Sequence, residues 1–317
     1  MTHPTRISIL TGPTATGKTE LALKLALRHG AIEIINADSL LVYRGMCIGT
    51  AKPMRAELDR IPHHLIDIRE PNEEFTAGDF VRSAHATIEE IHSRGKRALI
   101  VGGTGFYLKS LLYGLWAAPK AEPALREELR RLSGAELFSK LHEKDPQAAI
   151  RIGQNDHYRL VRALEIIELT GKTPTELEAS QTKEPDPRFH LFVIDRPPEE
   201  LAARIEARTR AMLENGLIEE VQALRSRYPQ ARALSSVGYA QVCAYLDGSG
   251  PQGRVVKPGW VGLEEEIVLA TRQLVKSQRT WFRGVFASAS GNSRFKKFIL
   301  DEEREELEKE VEEVYSS

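Results

Sequence analysis

Residues 7–19 read ISILTGPTATGKT. The opening apolar run fits a buried strand, and the continuation ELALKLALRHG at 20–30 has the apolar spacing of a helix, stopped by Gly30. Between them Gly12, Gly17, Lys18 and Thr19 fill every fixed position of the pattern G-x-x-x-x-G-K-[ST], with Pro13, Thr14, Ala15 and Thr16 as its variable residues. Glycine lets the backbone fold closely around phosphate oxygens. The amides of the loop and of the helix N-terminus then face the negative charge. Lys18 adds a point charge on a flexible stem, and the Thr19 hydroxyl suits a magnesium ion already held by the phosphates. The stretch therefore predicts a phosphate or diphosphate site on a strand–loop–helix unit.

The residues that follow repeat the alternation. AIEIINADS (31–39) reads as a second strand ending at Asp38 and Ser39. LLVYRGMCIGTAKP (40–53) follows, with Tyr43, Arg44 and Gly45 in a loop, and HHLIDIR (63–69) reads as a short strand. FTAGDFVRSAHATIEEIHSRG (75–95) spaces Phe80, Ala84, Ile88 and Ile91 as one face of a helix. RALIVGGTGFYLKSLLYGL (97–115) gives a strand, a GGTG turn and a helix. Alternating strands and helices predict an α/β fold, a P-loop NTPase-like parallel sheet flanked by helices. Ligands of such sheets gather at the carboxyl ends of the strands, where the phosphate loop, Asp38 with Ser39, and Gly103 with Thr104 all fall.

From about Pro119 the texture becomes charged and helical, until FHLFVID (189–195) restores a strand. This predicts a discontinuous catalytic core (1–119 and 187–300) with an all-helical insertion (120–186). Residues 198–224 read as a long helix pair or one helix broken near Asn215 and Gly216, and a further helix covers 262–284. On the latter Arg272, Lys276, Arg279 and Arg283 are four, three and four apart and share a face.

The chain has 317 residues, 41% hydrophobic and 28% charged, with two cysteines, Cys47 and Cys243, in no paired motif. A cysteine zinc site or disulfide framework is not expected. No apolar run reaches the roughly 20 residues of a membrane span, and MTHPTRISIL does not read as a signal peptide. A reducing cytoplasm and a monomer are the expectations. Net charge is −1, yet residues 301–313 hold nine acids and two bases, which leaves +6 on the rest. A moderately basic body suits a polyanionic partner. The acidic segment, 301–317, is expected as a separate, dispensable tail.

On residue chemistry alone, a small-molecule kinase and another diphosphate-using transferase stay equally open. A kinase usually carries a second acid at the end of a hydrophobic strand. Here LIVGG ends in glycine, the acid comes instead at Asp38, and Asp67 and Asp195 are further candidate metal acids by position.

The motifs GPTATGKT, ADSLLVYRGMCIGTAKP, PHHLIDI, LIVGGTGFYLKSLLYGL, NDHYRLVRALEI, SSVGYAQ and TRQLVKSQRTWFRG, in this order, resemble the bacterial tRNA dimethylallyltransferase family across residues 7–284. The resemblance implies transfer of a dimethylallyl group from dimethylallyl diphosphate to N6 of the adenine 3′ to the anticodon. The tRNAs concerned read codons beginning with U. It also implies Mg²⁺ as cofactor, and a phosphate loop that binds diphosphate without ATP hydrolysis driving the reaction. By the resemblance Asp38 is the general base with Thr104 beside it, and Arg204 and Arg208 are in reach of the diphosphate. The anticodon stem-loop would meet Asp38, Ser39, Leu40 and Leu41; Arg126; Tyr158, Arg159, Leu160, Val161 and Arg162; and Ser235, Ser236, Val237, Gly238, Tyr239 and Ala240. The cationic face Arg272, Lys276, Arg279 and Arg283 would add to it. Two positions depart from the family pattern. Ala240 stands where Lys or Arg follows GY, and Ser277 replaces the Arg of KRQ, with Arg279 in place to compensate. A prenyltransferase acting on free adenine nucleotides is the alternative, and the helical insertion argues against it.

Overall fold

A computed structural model describes residues 6–115, 119, 121–180, 184–249, 257–288 and 291–316. In chain order the first elements are β1 (Ile7–Thr11), α1 (Lys18–His29), β2 (Ile32–Asn36), α2 (Arg55–Arg60), β3 (His63–His64), α3 (Ala77–Ser93), β4 (Arg97–Val101) and α4 (Gly105–Tyr113). Next come α5 (Pro123–Arg130), α6 (Gly134–Lys144), α7 (Pro146–Ile152), α8 (His157–Thr170) and α9 (Pro174–Ala179). Then follow β5 (Phe189–Asp195), α10 (Pro198–Glu214), α11 (Leu217–Arg227), α12 (Tyr239–Leu246), α13 (Gly259–Ser288), β6 (Phe295–Ile299) and α14 (Arg304–Ser316).

The six strands form one sheet in the order β3-β2-β4-β1-β5-β6, and every pairing is parallel. β1 and β2 are buried along their whole length, as near-continuous apolar strands covered on both faces must be. On one face Leu21 and Leu25 of α1 share a core with Ile34, Leu99, Phe192 and Phe298. On α3 the positions Phe80, Ala84, Ile88 and Ile91 are the buried ones, the stripe that the helical spacing predicts. The helix pair breaks at Asn215 and Gly216, between α10 and α11. The expected strand at 63–69 shortens to His63–His64, because Leu65 and Asp67 take left-handed conformations (φ +62° and +54°) that a ladder does not accept.

The chain divides into two compact units, Met1–Leu112 with Pro185–Ser317, and Tyr113–Glu184. The second unit has its own apolar core, built on Leu137, Leu141, Ala148, Leu160 and Leu164. Residues 120 and 181–183 of the expected insertion lie outside the described residues.

The acidic segment 301–317 corrects the sequence expectation of a separate tail. Most of it is α14, and Leu307, Val311, Val314 and Tyr315 are buried in the same core as α1 and the sheet. The Tyr315 hydroxyl donates to the Ala98 carbonyl of β4 at 3.1 Å. The acids line the outward side of an amphipathic helix. β6, which supplies the last strand of the sheet, was hidden by its two central lysines.

Candidate active site

The loop between β1 and α1 closes tightly on the end of β5. At Gly12 (φ +147°) a Cβ would come 2.0 Å from the Ile194 carbonyl oxygen, so only glycine fits. The Thr16 hydroxyl donates to the Pro13 carbonyl at 2.9 Å, and Lys18 Nζ donates to the carbonyls of Gly12 (2.9 Å) and Pro13 (2.6 Å). A cavity of about 470 Å³ opens beside this loop; Lys18, Thr19, Asp38, Leu41, Arg204 and Arg208 are among its lining residues. Burial, the largest influence, pushes the Lys18 ammonium down to about 8. The Asp38 carboxylate opposes that shift and Arg208 adds to it. Arg208 itself is depressed by burial, again against Asp38.

Asp38 stands at the carboxyl end of β2 on a fixed turn. Its amide donates to Asn36 Oδ1 (2.8 Å), and Asn36 Nδ2 donates to the carbonyls of Asp38 (2.9 Å) and Leu65 (3.0 Å). One Asp38 carboxylate oxygen accepts from the Leu40 amide at 2.9 Å, and the side chain still faces the cavity. Thr104, after β4, reaches the same turn: its Oγ1 accepts from the Ser39 amide at 2.9 Å. Two strand ends and the phosphate loop thus open onto one crevice, as the parallel sheet requires.

A family model described as IPP transferase matches residues 41–285. The chain belongs to the IPP transferase family. It is 44% identical over 284 residues to tRNA dimethylallyltransferase 1 of Citrifermentans bemidjiense, covering 87% of this chain and 89% of the relative. Its identity to the tRNA dimethylallyltransferase of Geobacter sulfurreducens is 42% over 286 residues, covering 88% and 89%. The crystal structure of the full-length tRNA isopentenylpyrophosphate transferase of Bacillus halodurans matches with a TM-score of 0.67 at 32% identity, over 98% of this chain and 97% of that one. A eukaryotic dimethylallyltransferase, solved acting on tRNA, matches with a TM-score of 0.77 at 26% identity, over 93% and 73%.

Within this chain several sequence-predicted contacts are engaged internally. Leu160 and Val161 are buried in the helical core, which corrects their expected place at an RNA surface. Arg126 Nε donates to the buried Glu165 at 2.9 Å. Arg162 binds the same carboxylate and donates to the Pro119 carbonyl at 2.8 Å. Arg159 is exposed beside Asp156 (3.3 Å), and Tyr158 is exposed. Tyr239 is fully buried, its hydroxyl donating to Glu220 Oε1 at 2.7 Å; Glu220 in turn accepts from the amides of Cys47, Ile48 and Gly49. Leu40 packs into that cluster. Ser236 Oγ donates to the Ala233 carbonyl at 2.6 Å, Gly238 begins α12, and Ala240 lies in its first turn.

On α13, Arg272 pairs with Glu206 (2.6 Å), Lys276 is exposed and Arg283 donates to Thr280 (3.1 Å). Arg279 is held by Asp195 Oδ1 at 2.7 Å and by the Arg196 carbonyl at 2.8 Å. That ties both Arg279 and Asp195 into the frame, and removes Asp195 as a metal acid. Asp67 likewise accepts from Lys52 at 2.5 Å. Among the described residues no group of three or more His, Cys, Asp or Glu side chains could hold a metal ion.

Three residues were missed by sequence reasoning. Gln278 accepts from the Thr14 amide at 2.9 Å and donates to the Gly103 carbonyl at 3.2 Å, joining the phosphate loop to the GGTG turn. Trp281 lies on Gly105, where a Cβ would come within 2.5 Å of the indole. Both belong to the TRQLVKSQRTWFRG motif, where neighbouring charges are the stronger sequence signal. Arg196, buried behind the loop, carries no motif signal.

Proposed function

We propose that the chain transfers a dimethylallyl group from dimethylallyl diphosphate to N6 of the adenine 3′-adjacent to the anticodon, in tRNAs reading codons that begin with U. The observation that carries this reading is the pairing of Lys18 and Asp38 on one cavity, in a chain of this family. The diphosphate sits on the loop amides and Lys18, with Arg204 and Arg208 lining the same cavity, and the adenine enters at the Asp38 end. An adenine amine is a weak nucleophile because its lone pair is delocalised into the ring. Asp38 accepts its proton at a carboxylate oxygen as the new carbon–nitrogen bond forms and the bond from carbon to the diphosphate oxygen breaks. Lys18 and the amides stabilise the charge that grows on the departing diphosphate. The Leu40 amide and the Asn36 clamp keep Asp38 aimed at the amine.

The cofactor in this reading is Mg²⁺. One cavity-lining hydroxyl, Thr19, beside a phosphate loop suits a hard cation that keeps waters and takes its other oxygens from substrate phosphates. Bound there, Mg²⁺ would neutralise charge on the diphosphate. The helical unit, Tyr113–Glu184, is the RNA-binding module, and exposed Arg159 and Tyr158 are its outward candidates for phosphate contact and base stacking. The protein works as a cytoplasmic monomer. Incubation with labelled dimethylallyl diphosphate and Mg²⁺ plus tRNA, AMP or ATP tests the reading. Label in tRNA alone is expected; label in AMP or ATP points to a nucleotide prenyltransferase, and none in any acceptor rejects the transfer.

A further inference from the structure

Two arginines hold carbonyls of the phosphate loop. Arg204 Nε donates to the Ala15 carbonyl at 2.9 Å and Arg196 Nε to the Thr16 carbonyl at 2.8 Å. In a planar trans peptide the following N–H points opposite to the carbonyl. Fixing carbonyls 15 and 16 therefore fixes the direction of the amides of Thr16 and Gly17, two of the groups that a phosphate loop offers to its anion.

Arg196 is only 4% exposed and is itself held from several sides. Its amide donates to Asp195 Oδ1 at 2.9 Å, and its carbonyl accepts from Arg279 at 2.8 Å. Its guanidinium meets two carboxylates, Glu200 of α10 and Asp301 of the turn after β6. The neighbouring Leu300 approaches the loop as well: a Cβ on Gly17 would lie 3.5 Å from Leu300 Cδ2. A buried guanidinium needs charged partners to stay in place, and its planar fork transmits their position to the carbonyl it binds.

We infer that Asp301, together with Glu200 and acting through Arg196, is a positioning residue for the phosphate loop. The segment beyond β6 thereby sets the affinity of the donor site. The inference rests on the reading of that loop as a diphosphate site. Its test is titration of inorganic diphosphate with Mg²⁺ into the full chain, its Asp301→Asn, Asp301→Glu and Glu200→Gln/Asp301→Asn forms, alongside steady-state kinetics. A loss of loop positioning equivalent to about one ordinary hydrogen bond corresponds to about tenfold weaker diphosphate binding in the double variant. Asp301→Asn should lose a smaller part, and Asp301→Glu should stay near the parent. The KM for dimethylallyl diphosphate should rise while the KM for tRNA holds. Parental diphosphate affinity in the double variant, or an equal loss for tRNA, overturns the inference. If the double variant does not fold, Asp301→Asn at its half-exposed carboxylate decides by the same two readouts. A parental protein that fails to bind diphosphate overturns the reading of the loop instead.

Discussion

The Thr104 hydroxyl accepts a hydrogen bond from the Ser39 amide at 2.9 Å and lies 3.3 Å from the Ser39 hydroxyl. It locks the turn after β4 to the turn that carries Asp38, one residue from the proposed base. The Thr104 amide adds a bond to the Ala37 carbonyl at 3.2 Å. Removing the hydroxyl leaves the carboxylate in place but loosens its aim. Thr104→Ala should lower the single-turnover rate by about tenfold, the scale of one lost hydrogen bond, whereas Thr104→Ser should stay close to the parent. Equal rates for both variants would assign Thr104 to the turn alone.

Glu165 is the keystone of the helical unit. Its side chain is fully buried and accepts from Arg126, Arg162 and the Glu122 amide. Burial alone would raise its pKa, but the bonds from Arg162, the Glu122 amide and Arg126 outweigh it and hold the carboxyl below the usual range. A carboxylate depressed in the fold contributes stability that is present above its unfolded pKa. That contribution is lost as pH falls through the folded one. Glu165→Ala should therefore unfold this unit more easily, by about 3–5 kcal/mol at neutral pH, with the gap from the parent closing in acid. Thermal melts of the full chain at pH 7 and pH 3 measure it. Arg159→Ala, at an exposed pair, should leave the melt unchanged while weakening tRNA binding and flattening its salt dependence.

Much of this frame is legible in the sequence where one local rule acts alone. The phosphate loop, the α3 stripe and the break at Asn215 and Gly216 each follow from spacing or from backbone freedom. Charge misled where burial decided instead. Arg126 and Arg279 look like an RNA surface in the sequence, yet each meets an acid distant in the chain, Glu165 for the first and Asp195 for the second. Residues 301–313 look solvated because nine acids mask the four-residue spacing of Leu307 and Val311. Pairings of that kind depend on tertiary neighbours, which no window of sequence contains.

The depressed Lys18 gives the proposed donor site a pH signature. Free, its ammonium titrates near 8; a bound diphosphate favours the charged form and raises it. Below 8 the lysine is already protonated and binding leaves its proton count unchanged. Between 8 and its ordinary value of 10.5, binding must take up a proton, so affinity falls as pH rises through that window. Calorimetry of diphosphate binding at pH 9 in two buffers of different ionisation enthalpy should show uptake of a proton fraction approaching one. Lys18→Ala should abolish the buffer dependence and weaken binding.

A chain ending at Leu300 should fail to fold stably. It loses Leu307, Val311, Val314 and Tyr315 from the main core, each worth roughly 1.5–3 kcal/mol of burial. Their sum, roughly 6–12 kcal/mol, rivals the whole stability of about 5–15 kcal/mol of an ordinary domain. Circular dichroism and limited proteolysis report the outcome. A folded, active truncation would mean that the sheet covers this face in another way.

Asp38→Asn tests the chemistry itself. The amide keeps the shape of the carboxylate and can still accept from the Leu40 amide through its oxygen. Lys18 and Arg208 lose their facing negative charge, so the anion site should bind diphosphate as well as before or slightly better. What disappears is the group proposed to take the adenine N6 proton. Single-turnover prenylation with both substrates saturating should fall by roughly 10²–10⁴, the usual span for general acid–base catalysis. The affinities for tRNA and diphosphate should change far less, because the lost interaction belongs to the transition state. Lys18→Ala should differ by weakening diphosphate binding along with the rate, since Lys18 acts on the ground state too. A near-parental rate in Asp38→Asn would pass the proton to water or to the departing diphosphate. Lys18 and the loop would keep their role, since the anion site does not depend on where that proton goes.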